Sequence, residues 1–113
     1  MTIEQRLITE NKLIKQIETR RVLNLNNMTL GEKSVDIIRN LILKGLVAKV
    51  SLSESGIGDA GLLGLLQGDL IKDSRSLVTL DLSCNGLTGK SIRKLCEAIV
   101  YNRSLLHINL SSY

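Results

Sequence analysis

The feature that most constrains the fold is a short motif that recurs along the chain. Its clearest copy runs from Leu77 to Leu87 and reads L-x-x-L-x-L-x-x-N-x-L. A second copy runs from Val47 to Ile57 with Ser55 at the Asn position, and a further copy begins at Leu105 as L-L-H-I-N-L. Because one small unit cannot bury its own apolar face, such repeats predict a stack of similar units that share a continuous core.

The copies recur at intervals of 27, 30 and 28 residues, and the first one is degenerate. The same apolar motif position recurs at Leu23, Val50, Leu80 and Ile108. In the first copy Arg20 replaces the leading Leu, and Met28 occupies the Asn position. The repeat therefore extends back to near residue 20, although only the copy at Leu77–Leu87 keeps its full pattern.

Each copy has a second half with helical spacing. Apolar residues recur three or four positions apart, as on one face of a helix, at Val35, Ile38, Leu41 and Ile42, at Leu62, Leu65 and Leu66, and at Ile92, Leu95 and Ile99. A small residue precedes each helix in register, namely Ser34, Gly61 and Ser91. Each unit is thus predicted to be a short strand, a turn and a helix.

The chain resembles a leucine-rich repeat protein of the ribonuclease-inhibitor-like subclass, from about residue 20 to 113. The resemblance implies an α/β solenoid shaped as a short horseshoe, with four parallel strands on the concave side and three helices on the convex side. The expected units are about 20–46, 47–76 and 77–104, with a partial unit at 105–113.

Residues 1–19 are expected to form a separate N-terminal capping helix. Ile3, Leu7, Ile14 and Ile17 make one apolar stripe, and acidic and basic residues share the other side. The first strand of a solenoid has an apolar flank that needs such a cover. An amphipathic docking helix is the alternative, although the balanced charges argue against a membrane surface.

Composition excludes several classes of function. There is no run of 18 apolar residues, and the basic residues behind the net charge of +4 are not interleaved with aromatic ones. We therefore expect neither membrane nor nucleic-acid binding. One His and two Cys do not complete a zinc site, so no metal or cofactor is expected. The two thiols suit a reducing, cytoplasmic environment.

Gly56–Gly61 reads G-I-G-D-A-G, which matches the dinucleotide-binding pattern G-x-G-x-x-G. The match falls in register with the repeat, and Ser53, Glu54 and Ser55 separate it from the preceding strand. We interpret its glycines as turn and packing residues. Nucleotide binding through Gly56–Gly61 remains a less favoured alternative.

Outward-pointing strand residues form columns that line the predicted concave face, because side chains alternate along a strand. The candidate partner-binding residues are Lys49, Ser51, Thr79, Asp81, His107 and Asn109. We expect Lys49, Asp81 and His107 to carry specificity. His107, Asp81 and a serine could be imagined as a hydrolase triad, but nothing suggests an oxyanion site or a pocket, so no enzyme is expected.

Asn85 and Ser55 hold the motif position that forms a structural ladder. In the family, the Asn at this position bonds the backbone between successive turns of the solenoid. Only Asn85 keeps that identity, and Ser55 is a partial substitute. Replacement of Asn85 by Ala is expected to lower the stability of the fold by about 1–3 kcal/mol.

The predicted last strand, within residues 107–111, has no helix after it and leaves an open edge that invites pairing. We therefore expect a non-enzymatic protein-interaction module or scaffold subunit, which continues in another chain or self-associates through this edge. Actin-associated capping proteins, which also carry such repeats, are a variant of this interpretation. The alternative is a small-GTPase regulator resembling Ran GTPase-activating proteins, for which the resemblance is the only support.

Overall fold

The computed structural model describes residues 10–17 and 20–111, and the elements alternate between strand and helix. In chain order they are α1 (Glu10–Ile17), β1 (Val22–Asn24), α2 (Glu32–Leu43), β2 (Lys49–Ser51), α3 (Gly58–Leu65), a 3₁₀ turn (Gln67–Asp69), α4 (Leu70–Asp73), β3 (Thr79–Asp81), α5 (Gly89–Ile99) and β4 (His107–Asn109).

The four strands form one parallel sheet in the order β1-β2-β3-β4. Equivalent motif positions lie side by side, so that Leu23 pairs with Val50, Val50 with Leu80, and Leu80 with Ile108. The α/β repeat fold with four parallel strands, predicted from the sequence, is confirmed.

An aliphatic core lies between the sheet and the helices. Leu23, Val50 and Leu80 from the strands are 0% exposed, as are Ile38 and Leu62 from the helices. Complete burial of such a side chain contributes about 1.5–3 kcal/mol. The chain has no Phe or Trp, so branched aliphatic side chains fill the repeating layers instead.

The second outer helix is divided, a feature that the sequence-based prediction of three outer helices does not include. Helix α3 ends at Leu65, and the 3₁₀ turn and α4 continue from there. Gly68 (φ 69°) and Asp69 (φ 57°) both adopt left-handed backbone conformations, which cannot continue a right-handed helix. The break lies in the longest repeat, in which Val50 and Leu80 are 30 residues apart.

Helix α1 packs against β1 at the start of the sheet. Its side chains Leu13 and Ile17 are 3% and 2% exposed, and Glu10 forms an ion pair with Lys44 after α2. This is the position expected of a capping helix. The predicted helix also includes residues 1–9 and 18–19, which lie outside the described residues, and the predicted unit boundaries remain predictions.

None of the helices in the described ranges is long and apolar enough to cross a membrane.

Candidate functional site

The six predicted partner-binding residues come together on the sheet face opposite the core, here called the concave face. The strand register places Lys49 beside Thr79 and Thr79 beside His107, and it aligns Ser51, Asp81 and Asn109 in the same way. Neighbouring strands lie about 4.8 Å apart, so the six positions form a compact grid. Lys49, His107 and Asn109 are exposed, whereas Thr79 and Asp81 are half-buried.

Ser51 differs from the expectation of an outward, accessible side chain, because it is only 7% exposed. Its Oγ donates a hydrogen bond to Asn26 Oδ1 at 2.7 Å, and the same oxygen accepts the Ser53 N–H at 2.8 Å. A short side chain at the end of a strand is covered by the neighbouring turn. Ser51 therefore holds two adjacent repeats together and offers little surface to a partner.

Asp81 has a local structural role. Its Oδ1 accepts hydrogen bonds from the Ser83 N–H at 2.9 Å and from the Ser83 Oγ at 2.7 Å. Asn24 and Asn109 occupy equivalent positions and accept the N–H two residues ahead in the same way. These Asx turns end the strands. Because this oxygen is already bonded to Ser83, the geometry does not support a triad with His107.

Asn85 lies in the turn that follows β3 and is buried, at 4% exposure. Its Oδ1 accepts the N–H groups of Ser55 at 2.9 Å and Ile57 at 3.3 Å, which belong to the preceding repeat. Its Nδ2 donates to Leu52 O at 2.7 Å and Leu82 O at 3.0 Å. One side chain thus joins the backbones of two repeats. Ser55 makes a smaller link of the same kind, because its Oγ donates to Leu25 O at 2.9 Å.

The Gly56–Gly61 loop uses its backbone donors within the fold. The Gly58 N–H donates to Asn85 O at 3.1 Å, and the Ile57 N–H is bound to the Asn85 side chain. Gly56 and Gly58 have positive φ, and a Cβ on Gly61 would lie 2.5 Å from Ile57 Cβ. A phosphate-binding loop needs free N–H groups that point at the ligand. Turn geometry and close packing therefore account for these glycines.

A polar cluster between α3 and α5, formed by Asp59, Thr88 and Ser91, was not predicted from the sequence. Asp59 Oδ1 accepts the Thr88 N–H at 2.8 Å, and Asp59 Oδ2 accepts the Thr88 hydroxyl at 2.5 Å. The Ser91 hydroxyl also donates to Oδ1. The hydrogen bonds from Ser91 and then Thr88, with a smaller effect of Lys90, lower the pKa of Asp59 to about 2.

This cluster caps the start of α5 from the neighbouring repeat. The negative carboxylate lies at a helix N-terminus, where the helix dipole favours it. Thr88 is the N-cap residue, and its hydroxyl also accepts the Lys90 N–H at 3.3 Å. Thr88 before a helical pattern can be recognised in the sequence as an N-cap residue. Its hydrogen bond to Asp59, 29 positions earlier, can be predicted only when the alignment of the two repeats in space is known.

Cys84 and Cys96 are both free thiols at the surface. In the part of the chain that the structure describes, no group of three or more His, Cys, Asp and Glu side chains could hold a metal ion.

Comparison with known proteins gives matches among solved structures alone. No family model matches the chain, and no curated protein matches it. The tropomodulin C-terminal domain of Caenorhabditis elegans is 22% identical and aligns over 98% of this chain, with a TM-score of 0.76. Actin-binding site 2 of leiomodin-1 is 15% identical and aligns over 100% of this chain, with a TM-score of 0.77.

The chain has a leucine-rich-repeat-like fold. It spans 65% of the length of each of the two solved structures. At these identities the likeness concerns the fold, and the ribonuclease-inhibitor-like subclass remains a prediction from the sequence.

Proposed function

We propose that this chain is a non-enzymatic protein-interaction module and that its partner is actin. The observation that carries the proposal is the likeness to actin-binding site 2 of leiomodin-1, which extends over the whole of this chain. The polar side chains of Ser51, Asn85 and Asp59 join neighbouring repeats and are not part of the proposed contact.

The proposed contact surface consists of the exposed residues Lys49, His107 and Asn109 of the concave face and the half-buried Thr79. Lys49 and His107 lie in one column at either side of Thr79, and Asn109 extends the surface along β4. The side chains in this surface are cationic or polar, and none is aromatic or aliphatic. Such a surface suits an acidic patch on the partner, and charge complementarity then contributes specificity and association rate.

Co-sedimentation with actin filaments, together with a binding measurement on monomeric actin, tests this proposal. Lys49→Glu is expected to weaken binding about tenfold, because it replaces attraction to an acidic patch by repulsion. Lys33→Glu is the matched control, since it makes the same charge change on an exposed residue of α2, on the opposite side of the molecule. The control is expected to bind as the unaltered chain does.

Two results would count against the proposal. If the unaltered chain binds neither filaments nor monomers, actin is not the partner. If Lys33→Glu weakens binding as much as Lys49→Glu, the effect comes from net charge and the concave face is not the contact surface.

The proposed setting is the cytoplasm, which suits two exposed free thiols. The small-GTPase regulator remains an alternative from the family resemblance alone. The bonds within Gly56–Gly61 give no support to the nucleotide-binding alternative.

A further inference from the structure

The turns that lead into β3 and β4 have the same construction. In each, the first side chain accepts the backbone N–H three residues ahead. Ser74 Oγ accepts the Leu77 N–H at 3.2 Å, and Asn102 Oδ1 accepts the equivalent N–H of the later turn at 2.6 Å. Arg75 and Arg103 directly follow these first residues, and both are exposed. The two arginines therefore occupy the same place in successive repeats.

Hydrogen bonds between the two turns hold them side by side. Ser104 Oγ donates to Leu77 O at 2.8 Å, and Asn102 Nδ2 donates to Ser74 O at 3.1 Å. The turns thus continue the spacing of the strands, which is about 4.8 Å. Arg75 is exposed although the next turn packs against its own turn. Exposure is therefore a property of this position within a stack of repeats.

A third guanidinium lies at the equivalent position of the second repeat. Gly45 holds that position, because it precedes the central residue of its strand by five residues, as Arg75 does. Gly45 has no side chain, but the exposed Arg21 of the preceding loop extends to it, and its Nη2 donates to Gly45 O at 2.6 Å. Three successive repeats therefore present one guanidinium each. This row, here called the arginine column, consists of Arg21, Arg75 and Arg103.

The loops that hold the arginine column contain basic residues and no acidic ones. The described loop segments that precede the four strands are 20–21, 44–48, 74–78 and 100–106, and they have five Lys or Arg and no Asp or Glu. The loops that follow the first three strands, 25–31, 52–57 and 82–88, have one acidic residue, Glu54, and no Lys or Arg. No ion pair joins the arginine column to any described residue. Positive charge is thus concentrated at one edge of the sheet.

We propose that the arginine column binds an acidic segment of a partner protein, which lies across the repeats in extended form. A guanidinium can bind a carboxylate through two parallel hydrogen bonds. Alternate side chains of an extended segment lie about 7 Å apart on one side. That interval exceeds the spacing of the turns by about 2 Å, which long and flexible arginine side chains accommodate. The matching segment therefore carries Asp or Glu at alternate positions.

The residue types of the turns favour a protein segment over other polyanions. The turns at 44–47, 74–77 and 102–105 contain no aromatic side chain on which a nucleic-acid base could stack. The apolar side chains of Val47 and Leu77 are buried, so they are not available to insert into a lipid surface. The arginine column also lies outside the proposed actin contact on the concave face, and its role does not rest on actin being the partner.

Fluorescence anisotropy with a labelled eight-residue peptide of alternating Glu and Ser tests the proposal at low ionic strength. The unaltered chain is expected to bind this peptide and not the matching peptide of Gln and Ser. Arg75→Gln is expected to weaken binding about fivefold, which corresponds to about 1 kcal/mol for an exposed ion pair. Combined with Arg103→Gln, the loss is expected to be about 25-fold, because the two sites act additively.

Arg93→Gln is the matched control, since it makes the same change at an exposed residue of α5 outside the arginine column. It is expected to bind the peptide as the unaltered chain does. Arg75→Lys keeps the charge but loses the planar pair of donors, so it is expected to bind more weakly than the unaltered chain. Circular dichroism is expected to give the same melting temperature for these variants, because the altered side chains are exposed.

Three results would overturn the proposal. The first is an unaltered chain that does not bind the Glu peptide, and the second is an equal loss of binding in Arg93→Gln and Arg75→Gln. The third is tighter binding of phosphatidylserine vesicles or of a twelve-nucleotide RNA that is lost in the double variant, which would assign the arginine column to a lipid surface or a nucleic acid.

Co-sedimentation with actin filaments separates this proposal from the proposed function. A chain that binds the Glu peptide but not actin refutes the actin proposal and supports the arginine column. A chain that binds actin but not the peptide refutes the role of the arginine column and supports the actin proposal. If the double variant loses the peptide and keeps actin, the chain has two separate contact surfaces.

Discussion

Replacement of Asn85 by Ala removes the side chain that links the second and third repeats most directly. The change leaves the N–H groups of Ser55 and Ile57 without their acceptor in a buried turn, where Ser55 is 0% exposed. An unpaired buried backbone group costs about 1–3 kcal/mol, and the lower half of that range for each of the two donors gives about 2–4 kcal/mol. The variant also loses the Asn85 Nδ2 hydrogen bonds to Leu52 O and Leu82 O, which lowers stability further.

Urea unfolding followed by circular dichroism measures this loss directly. For a chain of 113 residues, 2–4 kcal/mol corresponds to a fall in melting temperature of about 8–16 °C. The midpoint is expected to fall without a change in the m-value, because the same surface is exposed on unfolding. Asn85→Asp keeps an acceptor for both N–H groups but places a charge in the buried turn, so it should also be destabilising.

Asn40→Ala is the control, since Asn40 is an exposed residue within α2. Alanine has the higher helix propensity, so this variant is expected to be neutral or slightly more stable than the unaltered chain. The prediction is refuted if the free energy of unfolding of Asn85→Ala lies within about 0.5 kcal/mol of that of the unaltered chain. A change that small is typical of ordinary surface substitutions, so the Asn85 side chain would then contribute little to stability.

Two further predictions concern helices α3 and α5. The pKa of Asp59 is lowered to about 2, so its charged form contributes stability above the unfolded value near 4, and that contribution is lost as the pH falls towards 2. The melting temperatures of the unaltered chain and Asp59→Asn should therefore differ most near pH 7 and converge towards pH 2; a constant gap would refute this. Gly64→Ala should raise stability by up to about 1 kcal/mol, because the new Cβ meets Val35 at an ordinary 3.6 Å. Gly61→Ala has the same gain in helix propensity but should lower stability, since its Cβ would lie 2.5 Å from Ile57 Cβ. Equal melting temperatures for Gly61→Ala and Gly64→Ala would contradict this packing argument.

The period of the repeat was enough to predict the strands and their register. Leu23, Val50, Leu80 and Ile108 were aligned by sequence spacing alone, and the sheet pairs them in that order. The prediction succeeds because each position must bury an aliphatic side chain in the same layer. The break after Leu65 was harder to foresee, since it depends on two left-handed residues that accommodate the longest repeat.

The polar residues could be predicted only in part. Alternation along β2 placed Ser51 on the concave face, but it could not reveal that Asn26 of the adjacent repeat covers it. Asp59 was considered only as a residue within a glycine-rich motif, because its partners Thr88 and Ser91 lie in another repeat. Hydrogen bonds of this kind depend on how side chains of neighbouring repeats are placed in space, and a single sequence does not give that placement.

The two interactions between the second and third repeats run in opposite directions along the chain. Asn85, from the third repeat, satisfies the turn of the second, whereas Asp59, from the second, caps the helix of the third. Neither repeat is complete without the other, so the two should gain and lose structure as a single cooperative unit. The first repeat has Met28 at the ladder position, and other side chains join it to the second repeat: Asn26 accepts from Ser51 and Ser53, and Ser55 donates to Leu25 O. Cooperativity along these three repeats therefore does not require the same ladder residue in every unit.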